Sequence, residues 1–300
     1  MLGKLIKNSF KANASAVYIN YLAMGVVAVI MLILMFVDWT KWGDRGVGVG
    51  MAIKVAAAGL LCLTAFVNMV LTFVAVFGEF RRSMYRSEGQ LTLTLPVRSS
   101  TLLFAKWLSG SFWVILSYTA LYLCIFGSML YLIRHSLGVI EGDADYYSIY
   151  TLVTEMIRQL ADAAGINAPN INVVLNLAGV YAIKGGVSAC VFVMIVFFAV
   201  TVSYCRPFNK HNSLNAVLFF FITTFVSITA AKIMQNLFTV YIVVSQDAFT
   251  FVTGKEEVKA AWMNGYGAAS FTDMFVTALF GVGVYLFTVH LIDTKVNVSD

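Results

Sequence analysis

Gly185–Tyr204 reads GGVSACVFVMIVFFAVTVSY, 20 consecutive residues without a charged side chain. Crossing the hydrocarbon of a bilayer takes about 20 mostly apolar residues. The backbone must be satisfied there without water, which a helix does within one segment. The stretch therefore has the length and composition of a membrane-spanning helix, with apolar residues beginning upstream near Val173. Composition makes the same point for the whole chain. Soluble domains average roughly 45–50% apolar and about 25% charged residues, whereas this chain is 60% hydrophobic and 12% charged, with a mean hydropathy of +0.84.

Working outward, a basic turn at Arg206, Pro207, Phe208, Asn209 and Lys210 leads to a second uncharged block, Leu214–Ala231. A last block covers Met274–Val289 and runs into the polar tail His290–Asp300. Between them Met234–Val244 is apolar but carries Gln235 and Asn236, and Gln246, Asp247, Glu256 and Glu257 follow. That pattern predicts a partly embedded outer segment and an extracytoplasmic loop over 245–270, with no further span. Toward the N-terminus lie blocks at Val17–Val37, Met51–Val76 and Leu108–Ile133, bringing the expected spans to six. Met1–Ala14 sets Lys4, Lys7 and Lys11 against Leu2, Leu5, Ile6 and Phe10, a short basic amphipathic helix suited to an anionic leaflet. The first span is full length and lacks a small-residue cleavage pattern, so it reads as a retained anchor.

Segment 134–172 is acidic, with Glu141, Asp143, Asp145, Glu155 and Asp162. Within it Ile149, Leu152, Val153, Met156, Ile157, Leu160 and Ala164 recur at helical spacing, predicting an external amphipathic helix stopped near Gly165. Pro96, Pro169 and Pro207 all fall in connections, where a missing N–H costs no helix bond. The fold class is thus an all-α polytopic membrane protein, residues 1–300 forming one transmembrane domain.

Lysines and arginines of short loops favour the cytoplasmic side. They cluster at Lys4–Lys11, Arg81–Lys106, Arg206–Lys210 and Lys295, while most carboxylates fall in the alternate loops. Both termini are therefore expected in the cytoplasm, with Trp39 and Trp42 marking the outer end of the first span. The net charge of +5 reads as this orientation signal, and no basic motif with interleaved aromatics points to nucleic acid.

Chemistry-bearing residues are sparse. His135, His211 and His290 lie at span ends and no H-E-x-x-H occurs, so neither a catalytic residue nor a metal ligand set is predicted. Cys62, Cys124, Cys190 and Cys205 show no paired spacing and read as packing residues. Every Asp and Glu maps to a loop or span end, unlike the intramembrane carboxylate of an ion-coupled carrier. The chain has no G-x-x-x-x-G-K-[ST] loop, and Leu108-Ser-Gly-Ser111 matches the ATP-cassette signature only superficially while opening a span.

The informative connection is FGEFRRSMYRSEGQLTLTLPVRSSTLLFAK, residues 77–106, with Glu79 near the end of span two, a charged stretch, Glu88-Gly89, Leu95-Pro96-Val97 and Lys106 before span three. It resembles the permease subunits of ATP-binding-cassette exporters of the second type. The opening Met-Leu-Gly-Lys-Leu-Ile-Lys with Phe10-Lys11 is similar to Gram-positive bacterial permeases of this group. The resemblance implies a permease of the bacterial plasma membrane, paired with a second copy or a related paralogue. Two copies of a separate cytoplasmic ATPase would hold ATP and Mg, with no cofactor on this chain. It further implies a coupling loop over 77–106, with Glu79, Arg81, Arg82, Arg86, Glu88, Gly89 and Pro96 as its candidate residues. Arg81, Arg82 and Arg86 can pair with acidic groups on the partner, and Glu79 and Glu88 can hold the loop against the N-terminal lysines. An ATP-independent channel or carrier, and a scaffold recruiting cytoplasmic proteins, are the alternatives.

Lys54, Lys184 and Lys232 lie near the outer ends of spans two, four and five. Snorkelling of the ammonium to the interface accounts for them simply; the alternative is an outer vestibule for anionic groups. The resemblance implies outward transport of a lipid, peptide or amphiphilic drug; a path lined by Phe, Met, Ser and Thr suits many amphiphiles and does not by itself name one.

Overall fold

The computed structural model describes residues 2–36, 43–85, 98–136, 157–158, 167, 171–205, 208, 212–245 and 248–294. In chain order the elements are α1 (Leu2–Phe36), α2 (Gly43–Tyr85), α3 (Ser99–Ser136), α4 (Ile171–Ser203), α5 (Asn212–Leu237), β1 (Val240–Val244), β2 (Phe249–Thr253), α6 (Lys255–Met263), β3 (Gly267–Ser270) and α7 (Phe271–Thr294). Among the described residues five helices are long and apolar enough to cross a membrane, and α1 makes a sixth if its two arms form one span. The chain is a helical, membrane-embedded protein.

The chain divides into two compact units, Met1–Phe80 with Leu108–Tyr146, and Arg81–Trp107 with Tyr147–Asp300. In the first unit α1 bends by 48° between Leu2–Ser15 and Val17–Ile30, so the basic N-terminal arm leaves the line of the apolar one. Asn13 Nδ2 donates to Ser109 Oγ at 2.9 Å, and the hydroxyls of Tyr21 and Ser117 meet at 2.6 Å. Both residue numbers rise together, so α1 and α3 run parallel. Cys62 Sγ reaches Ser128 Oγ at 3.7 Å, bringing α2 against α3. Small side chains permit the approach, with Ala57, Ala58, Ala65, Ser109 and Ser111 all buried.

In the second unit α4 is central. Of its most apolar window 61% is buried, against 17% for α5 and 28% for α7, both of which pack on it. Gly281 of α7 meets Val191 so closely that an added Cβ would lie 2.6 Å from Val191 Cγ2. Phe198 and Phe287 fill the same interface at 5.8 Å, and Phe192 meets Phe220 of α5 at 5.5 Å.

A finding that the helical periodicity does not foresee is a three-stranded antiparallel sheet, ordered β2-β1-β3, between α5 and α7. The β-branched and aromatic runs Val-Tyr-Ile-Val-Val and Phe-Thr-Phe-Val-Thr fit a pleated, half-buried surface. The segment expected to be partly embedded, Met234–Val244, thus divides into the end of α5 and strand β1, and the expected 245–270 loop contains β2, α6 and β3. Gly254, at φ +130°, turns the chain from β2 into α6. At the other end Gly265 N–H donates to Trp262 O and Tyr266 N–H to Ala261 O, with Gly265 at φ +74°. That is a Schellman termination.

The 77–106 connection is corrected at both ends. Helix α2 continues through Tyr85 and α3 begins at Ser99, so Glu79, Arg81, Arg82 and Lys106 are helical residues. The physical reason is that charged residues at a helix end do not break it, and no Gly or Pro occurs between Glu79 and Tyr85. The amphipathic helix expected in segment 134–172 lies outside the described residues except for Ile157, buried, and Arg158, exposed, both helical.

Candidate functional site

The last turn of α2, in the second unit, carries several polar contacts. Arg81 Nε donates to the Tyr204 hydroxyl at 2.9 Å, and its guanidinium carbon lies 6.0 Å from the Tyr204 ring centroid. Tyr85 stacks on the same ring, centroids 4.5 Å apart and planes 7° apart. The Tyr85 hydroxyl donates to Thr201 Oγ1 at 2.8 Å, and Thr201 in turn donates to the Phe197 carbonyl at 2.8 Å. Thr201 is fully buried, as are Met84 at the end of α2 and Leu103 at the start of α3. A hydrogen bond from a charged donor contributes about 1.5–3 kcal/mol and a cation over an exposed aromatic ring about 0.5–1 kcal/mol.

The start of α3 is tied into the same region. Lys106 Nζ donates to Ser83 Oγ at 2.6 Å, and Trp107 Nε1 donates to the Cys190 carbonyl at 2.9 Å. Farther along the chain Tyr285 of α7 donates its hydroxyl to the Ser100 carbonyl at 2.9 Å. The ends of α2 and α3 are therefore pinned to α4 by Tyr85–Thr201, Arg81–Tyr204 and Trp107–Cys190, and to α7 by Tyr285.

Sequence reasoning placed Arg81 and Arg82 together as contacts for a partner. The structure separates their surroundings: Arg81 is taken up by Tyr204, whereas Arg82 is exposed. Glu79 has no ion pair or hydrogen bond among the described residues, so the expected tie to Lys4, Lys7 or Lys11 is not made through it. Arg86, Glu88, Gly89 and Pro96 lie outside the described residues. Tyr85, Thr201 and Tyr204 were not singled out by the sequence. They sit at the ends of apolar blocks, where a Tyr reads as an ordinary interfacial residue.

The three lysines differ as well. Lys184 Nζ lies 2.6 Å from Asp273 Oδ2, each side chain being 28% exposed. Asp273 is held in place by the start of α7, where Ser270 Oγ accepts from its backbone N–H at 3.2 Å as an N-cap. A carboxylate in the first turn is also favoured by the helix dipole. With its charge compensated, Lys184 is a poor free cation for a vestibule. Lys232 is exposed near the end of α5, and Lys54 belongs to the first unit.

In that unit Asn68 and Thr72, one turn apart on α2, are 3% and 0% exposed and their side-chain polar atoms have no hydrogen-bond partner among the described residues. Ser109 and Ser111, from the superficial signature match, are buried in helix packing. Among the described residues no three His, Cys, Asp or Glu side chains gather as metal ligands. The four cysteines are free thiols. Comparison with family models, with curated proteins and with solved structures gave no match.

Proposed function

We propose that this chain is the membrane-spanning permease subunit of an exporter, moving a lipid, peptide or amphiphilic drug with energy from ATP hydrolysed by a separate cytoplasmic ATPase. Residues 86–97 receive the motion of the ATPase, and the helical root around them spreads it. What supports the reading is the linkage just described: α2 and α3 are joined to α4 through Arg81, Tyr85, Trp107, Thr201 and Tyr204. A connection that merely closed a loop would need no such cross-bracing. The ATPase would hold ATP and Mg, and a second permease copy would complete the pathway. Both termini face the cytoplasm in this arrangement, and Arg82 and Glu88 are the partner-facing charges.

The test is co-purification of the ATPase from native membranes, followed by substrate-stimulated hydrolysis in lipid. Glu88→Lys or Arg82→Glu should lose the partner, because removing one member of a buried interfacial charge pair costs about 2–5 kcal/mol. Tyr204→Ala should retain the partner and lose stimulation. Full binding and full turnover in all three variants would remove the coupling role from this region. Wild-type chain that brings down no ATPase would overturn the ATP-driven reading itself.

A further inference from the structure

The two faces of the small sheet differ in kind. Strand pairing sets Phe249 opposite Val244 and Val244 opposite Gly267. Side chains two apart in a strand share a face, so Phe251, Ile242 and Ala269 form the next row on that face. At its Gly267 end this face lies directly on α4, where an added Cβ would fall 2.6 Å from Leu177 Cδ2. The opposite face holds Val243, Val252 and Ala268 and is covered by α6 through Val258 and Ala261. Helix α6 turns Lys255, Glu256, Glu257 and Lys259 outward. The unit of sheet plus helix is thus charged on one side and aromatic on the other.

On the aromatic side β2 is an outer strand, and Phe249 and Phe251 are 58% and 65% exposed. They are not isolated. The Phe251 ring meets Phe271 at 5.4 Å, and Phe271 stacks on Phe275 at 6.1 Å. Phe275 opens an exposed stripe on α7 that continues through Leu279, Val282 and Leu286, residues on one helical face. On a membrane-spanning helix such a stripe faces acyl chains.

We propose that Phe249 and Phe251 prolong this lipid-facing stripe and seat β2 in the interfacial layer of the bilayer, the rings against lipid and α6 toward water. The inference rests on the membrane embedding of α7 and is independent of export. Backbone chemistry limits the depth. An outer strand presents unpaired N–H and C=O groups, which the hydrocarbon cannot satisfy. The strand therefore stays at headgroup level while its rings reach the acyl boundary. The charge on α6 sets the same orientation, since ammonium and carboxylate groups stay in water.

The experiment places a nitroxide at F251C, and separately at F249C, in full-length chain whose four cysteines are replaced by alanine, reconstituted in phosphatidylcholine–phosphatidylglycerol vesicles. Collision with oxygen and with a water-soluble nickel chelate is measured beside L279C as the lipid control and K259C as the water control. Lipid contact gives oxygen accessibility close to that of L279C and nickel accessibility several-fold below K259C. High nickel accessibility would put the strand in water, and low accessibility to both reagents would put it against protein, such as a second copy; either result overturns the proposal. Should the cysteine-free chain not fold, photocrosslinking from benzoylphenylalanine at position 251 in the otherwise native chain decides the matter. A lipid adduct by mass spectrometry supports the proposal, and a protein adduct or none overturns it.

Discussion

Tyr85 and Tyr204 lie face to face, 4.5 Å between ring centroids, yet their hydroxyls serve different partners. That of Tyr85 donates to Thr201, and that of Tyr204 accepts from Arg81. The stack thus clamps the end of α2 to the end of α4 from two sides, and each polar contact can be removed separately.

Thr201→Val should destabilise more than Tyr85→Phe. Valine leaves the Tyr85 hydroxyl without its acceptor in a largely apolar setting, costing about 1–3 kcal/mol, whereas Phe at 85 leaves Thr201 still donating to Phe197 and costs about 0.5–1.5 kcal/mol. Thermal unfolding in detergent, compared at equal protein concentration, gives the order. Equal losses would mean that the Tyr85–Thr201 bond carries no net stability.

The Lys184–Asp273 pair should show coupling in a double-mutant cycle. Lys184→Gln and Asp273→Asn each leave a partly sheltered charge unpaired, and the double substitution removes both charges together. Partial exposure holds the interaction energy to about 1 kcal/mol, near the upper end for solvent-accessible pairs. The check is whether the double variant melts above the value expected from adding the two single losses. Additive losses would return Lys184 to simple snorkelling.

Gly281→Ala should cost about 1–3 kcal/mol, because the new methyl falls within 2.6 Å of Val191 Cγ2 at a buried helix crossing. Val191→Ala in the same chain opens the space and should recover part of the loss. Melting temperatures of the single and double variants decide it. A neutral Gly281→Ala would show that α4 and α7 can separate freely at this level.

Orientation has its own test. A cysteine at Lys259, exposed on α6, should react with an impermeant maleimide added to intact cells, and one at Arg98, exposed before α3, should react only after lysis. The reverse pattern would place the sheet in the cytoplasm and turn the proposed ATPase contact outward.

The membrane helices were legible because uncharged runs of spanning length have few alternatives once composition excludes a soluble core. What was misread is physically instructive. Gln235, Asn236 and Gln246 were read as interruptions of an embedded segment, but between them Val240–Val244 is a β-branched run, and Phe249–Thr253 repeats the pattern after a short polar link. That is a hairpin signature, outweighed by the surrounding hydrophobicity. The charge of Arg81 and Arg82 and the resemblance of residues 77–106 both point to a loop, although a helix tolerates such residues where it leaves the hydrocarbon. Pairings such as Arg81 with Tyr204 or Lys184 with Asp273 join distant parts of the chain, and no local pattern announces them.

The parallel alignment of α1 and α3 sets a sequence of events during synthesis. Asn13 meets Ser109 across a separation of 96 residues, and Tyr21 meets Ser117 across the same interval. A chain entering the bilayer from its N-terminus holds the first helix in place with those polar groups unmatched until the third arrives. Helix α1 therefore cannot reach its final packing until α3 has been made, so truncation before Ser109 would leave the Asn13 amide and the Tyr21 hydroxyl without these partners.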